Sequence, residues 1–132
     1  MIQYGEIRIA NGTFEEVLAR FESALQREGF GILCRIDIRA KLKEKLGTEF
    51  PNYMILGACN PPLAYQALQQ DLNIGLLLPC NAVVFEKEGS VHAGVIDAEK
   101  MLSVAGAPAL ESVARQVNEK LRRALDCAVG LA

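Results

Sequence analysis

The sequence lacks most of the residues and motifs that mark common enzyme classes. It contains one histidine, His92, and has no G-x-S-x-G, P-loop, H-E-x-x-H or G-x-G-x-x-G motif. These patterns accompany serine hydrolases, nucleotide-binding proteins, zinc proteases and dinucleotide-binding proteins, in that order. The sequence therefore carries none of the motifs that identify these four function classes.

The chain also has no strong excess of charge and no long apolar segment. Lys plus Arg number 14 against 16 Asp plus Glu, so there is no basic field to attract nucleic acid or an anionic membrane. No window approaches the ~20 apolar residues of a membrane span, and the start, MIQYGEIRIANG, lacks the basic and apolar regions of a signal peptide. We therefore expect a cytoplasmic protein with neither nucleic acid nor a membrane as partner.

Cysteine usage agrees with a reducing compartment. The four cysteines, Cys34, Cys59, Cys80 and Cys127, show no C-x-x-C spacing. Because cytoplasmic thiols stay reduced, we expect thiols or metal ligands here and no disulfide framework.

Hydrophobic periodicity predicts a single α+β domain over residues 1–132. Alternating patterns predict strands at 4–10, 30–38, 53–58, 76–85 and 91–96. Helical spacing predicts helices between residues 13 and 29, at 39–46, at 61–70 and between residues 110 and 125. This order predicts a two-layer sandwich with helices packed on one face of a mixed sheet of about five strands. Within the second strand, Cys34 alternates with isoleucines and is predicted to be a buried structural thiol.

Two Cys-Asn pairs flank the predicted third helix. Asn60 followed by Pro61 is typical of a helix start, so Cys59 is expected beside a helix N-terminus, where a thiolate is stabilised. Pro79 precedes the second pair, Cys80 and Asn81. The two pairs share one edge of the sheet if the third and fourth strands are antiparallel, and lie apart if they are parallel.

Two further side chains are candidates for the same site. Asp37 ends the second strand, where helix capping is its alternative role. His92 lies on the polar face of its strand, as a solvated side chain or as a third ligand to a metal held by Cys59 and Cys80.

The chain resembles the DUF302 family, an uncharacterised domain. The resemblance runs from the first predicted helix to the last and is carried by IDI at 36–38, GACNP at 57–61 and LLPCN at 77–81. It implies a compact domain of helices and strands, without an established activity, that forms a homodimer. It also draws attention to Asp37, which matches the Ile-Asp segment of the family.

Three hypotheses follow for the function. The first is a homodimeric binding module whose pocket takes a small ligand, a soft metal ion held by Cys59 and Cys80, or a sulfur atom. Its site comprises Cys59, Asn60, Cys80, Asn81 and Asp37. The second is a structural or protein-interaction domain, and the third is a thiol-dependent redox enzyme with Cys59 as nucleophile and Cys80 as resolving thiol. A hydrophobic content of 51% also favours surface available for a dimer.

Overall fold

A computed structural model describes residues 2–130 and confirms the α+β class. The strands are β1 (Gly5–Ala10), β2 (Gly31–Asp37), β3 (Tyr53–Cys59), β4 (Cys80–Lys87) and β5 (Ser90–Ile96). The helices are α1 (Phe14–Arg27), α2 (Ile38–Leu46), α3 (Pro61–Gln70), α4 (Ala98–Ser103) and α5 (Glu111–Ala128), with 3₁₀ segments at Leu72–Leu77 and Pro108–Leu110. No helix described between residues 2 and 130 combines the length and apolar composition needed to cross a membrane.

The five strands form one sheet in the order β1-β5-β4-β3-β2. Each neighbouring pair is antiparallel, so the expectation of a mixed sheet is corrected. The antiparallel pairing of β3 and β4 has a clear cause: α3 and the 3₁₀ segment Leu72–Leu77 return the chain to the end of β3 that it left. The 3₁₀ segment also occupies part of the region predicted as the fourth strand, which begins at Cys80.

The long helices begin and pack as their sequence patterns predict. At the start of α1, the Thr13 backbone N–H donates to the Glu16 carboxylate at 2.9 Å, and the Glu16 N–H donates to the Thr13 hydroxyl oxygen at 3.1 Å. These bonds form a capping box that satisfies two otherwise unpaired N–H groups. The apolar stripes of α1 and α5 face each other and the sheet, and their fully buried side chains include Val17, Phe21, Leu25, Leu121 and Leu125. The core therefore lies between these helices and one face of the sheet.

The opposite face of the sheet carries two rows of side chains that follow the strand register. One row runs across all five strands through Ile7, Gly94, Val83, Ile55 and Ile36. The next row runs through Ile9, His92, Phe85 and Tyr53. We call the surface formed by these rows, together with Cys34 and Asn81, the open face.

A β-bulge in β2 decides which cysteine reaches the open face. Ile32 pairs with Ala58 and Cys34 pairs with Gly57, so Leu33 is an extra residue. The bulge reverses the alternation of side chains. Cys34 is consequently exposed, and the prediction of a buried thiol was wrong.

Gly57 provides the space that Cys34 and Pro79 occupy on the open face. A Cβ atom at Gly57 would lie 2.7 Å from Cys34 Sγ and 3.0 Å from Pro79 Cγ. Because Gly57 is in the middle of β3, its backbone cannot move without disturbing the pairing with β2 and β4.

We expect Gly57→Ala to lower the free energy of unfolding by about 1 to 3 kcal/mol through this overpacking. Gly75→Ala is the matched control, because its Cβ would meet no atom within 4 Å. Its free energy of unfolding should be unchanged or rise by up to about 1 kcal/mol. Urea unfolding measures both. Equal effects of the two substitutions would contradict the packing at Gly57.

Candidate functional site

The antiparallel pairing of β3 and β4 brings the two cysteine turns to one end of the sheet. Ala58 pairs with Cys80 and Gly57 pairs with Asn81, and Cys59 is the last residue of β3. Cys59 and Cys80 also line the same cavity. Of the two alternatives that the sequence leaves open, the strand register therefore selects the one in which both thiols share one edge of the sheet.

This cavity, which we call the thiol pocket, has a volume of about 230 Å³. It lies between the ends of β3 and β4 on one side and α3, α4 and α5 on the other. Side chains from outside the cysteine turns form most of its wall, including Phe30, Leu63, Ala67, Leu102, Val113 and Val117. The wall is therefore almost entirely apolar.

Asn60 lines the thiol pocket but uses both ends of its amide to connect helices. Its side-chain oxygen accepts from the Leu63 N–H at 3.4 Å, which caps α3, and its amide nitrogen donates to the Glu28 carbonyl oxygen at 3.3 Å. The side chain is 8% exposed. Asn60 therefore joins the start of α3 to the end of α1 and retains little capacity to orient a polar ligand.

Burial keeps both pocket thiols protonated at neutral pH. It raises the pKa of the Cys59 thiol. Burial, followed by the nearby charge of Cys59, raises the pKa of Cys80 from 9.0 to about 11. Desolvation of the thiolate thus opposes the stabilisation that the adjacent N-terminus of α3 offers Cys59.

The other predicted site residues lie outside the thiol pocket. Asn81 is exposed on the open face. Asp37 pairs with Met54, five residues from Cys59 along β3 and so about 17 Å away. Its carboxylate accepts from the Ala40 N–H at 2.9 Å and caps α2. The structure therefore gives Asp37 its capping role and does not bring it to the cysteines.

His92 also lies far from the cysteines. It pairs with Phe85, five residues along β4 from Cys80, and its ring stacks on that of Phe85 with centroids 5.0 Å apart. Residues 2–130 contain no group of three or more His, Cys, Asp and Glu side chains suited to a metal ion. Among the residues that line the thiol pocket, Cys59 and Cys80 are therefore the two whose side chains suit a soft metal ion.

A second cleft, of about 430 Å³, opens between α4 and the start of α5. Glu99, Ser103, Glu111 and Arg115 contribute to its wall, and none of the predicted site residues does. These four side chains are exposed. We regard the thiol pocket as the better candidate site, because its wall is almost entirely apolar and contains both Cys59 and Cys80.

Comparison with known proteins places the chain in a family. The family described as "Domain of unknown function DUF302" matches residues 6–128. The chain belongs to the DUF302 family. A crystal structure of an uncharacterised conserved DUF302 protein from Bacillus stearothermophilus is similar, with 30% sequence identity and a TM-score of 0.89, over 96% of this chain and 99% of that one. No functionally curated protein matches.

The pocket-lining residues of this DUF302 domain illustrate what sequence reasoning missed. Val113 and Val117 belong to the apolar stripe of α5, and Leu63 and Ala67 to that of α3. In sequence these positions are indistinguishable from ordinary core positions, since helical spacing identifies a buried stripe and not a cavity beside it.

The raised pKa of Cys80 predicts a loss of stability in alkaline solution. The unfolded chain releases this proton near pH 9.0, whereas the folded domain retains it up to about pH 11. The unfolded state therefore binds fewer protons in this interval, and the free energy of unfolding falls as pH rises, by about 2 to 3 kcal/mol in total.

Urea unfolding of the native protein and of Cys80→Ala between about pH 8 and 11 measures this effect. Titrating groups that do not interact with Cys80 affect both proteins alike, so the stability difference between them reports Cys80 together with the Cys59 charge that acts on it. We expect the free energy of unfolding of the native protein to fall relative to that of Cys80→Ala as the pH rises. Parallel curves would show that Cys80 is not held as a buried neutral thiol.

Proposed function

We propose that this domain is a binding module that takes a small apolar molecule, or the apolar tail of a larger one, in the thiol pocket. The observation that carries the proposal is the pocket itself, about 230 Å³ walled by apolar side chains. Water gains few hydrogen bonds in such a cavity, so apolar guests are preferred. At roughly 30 Å³ for each water-sized group, the pocket holds about eight heavy atoms.

The thiols and Asn60 are consistent with an apolar guest. Cys59 and Cys80 have raised pKa values and contribute neutral, polarisable sulfur atoms to the wall. The Asn60 amide is engaged with Leu63 and Glu28. Apolar contact thus provides the affinity, and the length of the guest provides the selectivity.

We also propose that the module acts in the cytoplasm, where a reducing environment keeps Cys59 and Cys80 as thiols. The redox-enzyme hypothesis receives less support, because a nucleophilic cysteine requires a lowered pKa and both values are raised. The structural-domain hypothesis differs by predicting that the pocket takes no ligand.

A series of n-alkanols from butanol to dodecanol tests the proposal. Each buried methylene contributes about 0.8 kcal/mol, so affinity should rise about fourfold per carbon. The rise should stop near about eight carbons, where the pocket is full. Titration calorimetry measures the affinities, and amide chemical shifts locate the binding.

Ala64→Phe provides the decisive variant for this series. Ala64 is half-buried on α3 and lines the pocket, so a phenyl ring there fills the cavity and should abolish alkanol binding. Gln66→Phe, exposed on the same helix, is the matched control and should bind as the native protein does. No saturable binding, or binding unchanged by Ala64→Phe, would refute the proposal.

A second candidate ligand is a soft metal ion held by Cys59 and Cys80. It is favoured by the proximity of the thiols, since the charge of Cys59 raises the pKa of Cys80. With two protein ligands, the site suits Cu(I) better than zinc, which takes four ligands in structural sites. Binding must displace protons from both thiols.

Competition with a chromophoric Cu(I) chelator under anaerobic conditions tests this candidate. We expect Cys59→Ser and Cys80→Ser each to lose the ion, and Cys34→Ser, on the open face, to retain it. Equal retention in all three variants would exclude a site formed by Cys59 and Cys80.

A further inference from the structure

The thiol pocket and the second cleft, between α4 and the start of α5, share a wall. Leu102, which is 4% exposed on α4, lines both cavities. On α5, Val113 lines the thiol pocket and the next residue, Ala114, lines the cleft. The two cavities are therefore divided by single side chains and not by a layer of core.

The cleft differs from the thiol pocket in chemistry. Its floor is apolar and includes the buried side chains of Leu110 and Ala114. Its exposed rim is polar and is formed by Glu99, Ser103, Glu111 and Arg115. A molecule that occupies both cavities therefore needs an apolar part and a polar part.

The rim has an excess of one negative charge, and its charged groups are available to a ligand. It holds two carboxylates and one guanidinium. Within residues 2–130, no ion pair involves Glu99, Glu111 or Arg115. The Ser103 hydroxyl donates to the Lys100 carbonyl oxygen at 2.7 Å, so its oxygen is free to accept. Two carboxylates and this oxygen match the three N–H donors of an ammonium group.

Asn118 holds the start of α4 in place beside the cleft. Its amide nitrogen donates to the Asp97 carboxylate at 2.9 Å, and its amide oxygen accepts from the Ala98 N–H at 2.7 Å. Glu99 follows directly and is thereby fixed at the rim. Leu102 lies near the other end of α4, which these hydrogen bonds do not hold.

We propose that the thiol pocket and the cleft together bind one amphiphile with a short apolar tail and an ammonium head. The tail lies in the thiol pocket, the head lies beside Glu99 and Glu111, and the Leu102 side chain rotates aside where the molecule passes between the cavities. The inference rests on the proposed function, because the tail uses the same pocket. It adds the chemical class of the ligand, an amine. The cleft, of about 430 Å³, has room for about fourteen heavy atoms, so the head can be larger than a bare ammonium group.

Titration calorimetry with octylamine, octanol and octanoate near pH 7 tests this preference. The three molecules carry the same tail, so the ratios of their dissociation constants report the head group. We expect octylamine to bind most tightly and octanoate most weakly, with a difference that shrinks as salt is added. Glu99→Gln combined with Glu111→Gln should reduce the preference for octylamine over octanol at least about threefold. Arg115→Gln should increase it.

Two further variants complete the experiment. Glu119→Gln is the matched control, because Glu119 is exposed on α5 about 12 Å beyond Glu111 and lines neither cavity. It should keep the preference of the native chain. Ala64→Phe, which fills the thiol pocket, should abolish octylamine binding, since one molecule occupies both cavities.

The outcomes separate this inference from the proposed function. If octanol binds and octylamine has no advantage, or if the glutamate variant keeps that advantage in full, the inference is wrong and the proposed function stands. Octylamine that still binds to Ala64→Phe would also overturn the inference, because the cleft would then be a separate site. Octanol that fails to bind the native chain would refute the proposed function, and this inference with it.

Discussion

The antiparallel pairing of β3 with β4 is the constraint on which the candidate site depends. It places Ala58 opposite Cys80, so two segments more than twenty residues apart in sequence meet at the same end of the sheet. The chain between them, α3 and a 3₁₀ segment, returns to this end of the sheet and forms one wall of the thiol pocket. A parallel pairing would have placed Cys80 at the other end of the sheet.

The energetics at this site favour binding over thiol chemistry. A helix N-terminus stabilises a nearby anion by about 0.3 to 1 kcal/mol, and up to about 2 in buried geometries. The rise of the Cys80 pKa from 9.0 to about 11 corresponds to about 2.7 kcal/mol against the thiolate. Cys59, which lies beside the N-terminus of α3, also has a pKa raised by burial, so neither thiol of the pocket has a lowered pKa. The same burial that creates an apolar pocket raises the pKa of both its thiols and so lowers the fraction of thiolate at neutral pH.

Sequence patterns predicted what depends on local spacing and failed where distant segments meet. The stripes of α1 and α5, the Thr13 cap and the fold class follow from periodicities that each segment carries alone. The bulge at Leu33 does not, because one extra residue is visible only against the partner strand. Asp37 was assigned to the site by type and by family resemblance, and only the register shows its distance from Cys59. For the same reason, residues such as Val117 could not be assigned to the pocket wall.

Strand alternation explains how one small sheet can provide two separate surfaces. Cys80 faces the helix layer and lines the thiol pocket, whereas its neighbour Asn81 faces the opposite side. The Cys80-Asn81 pair is thus divided between the two faces, whereas Cys59 and Asn60 both line the thiol pocket. Because β4 is central, its residues contribute to both surfaces, and the backbone hydrogen bonds of β3 and β5 hold it on either side. The side chains that β4 contributes to the thiol pocket are therefore different from those that it presents on the open face.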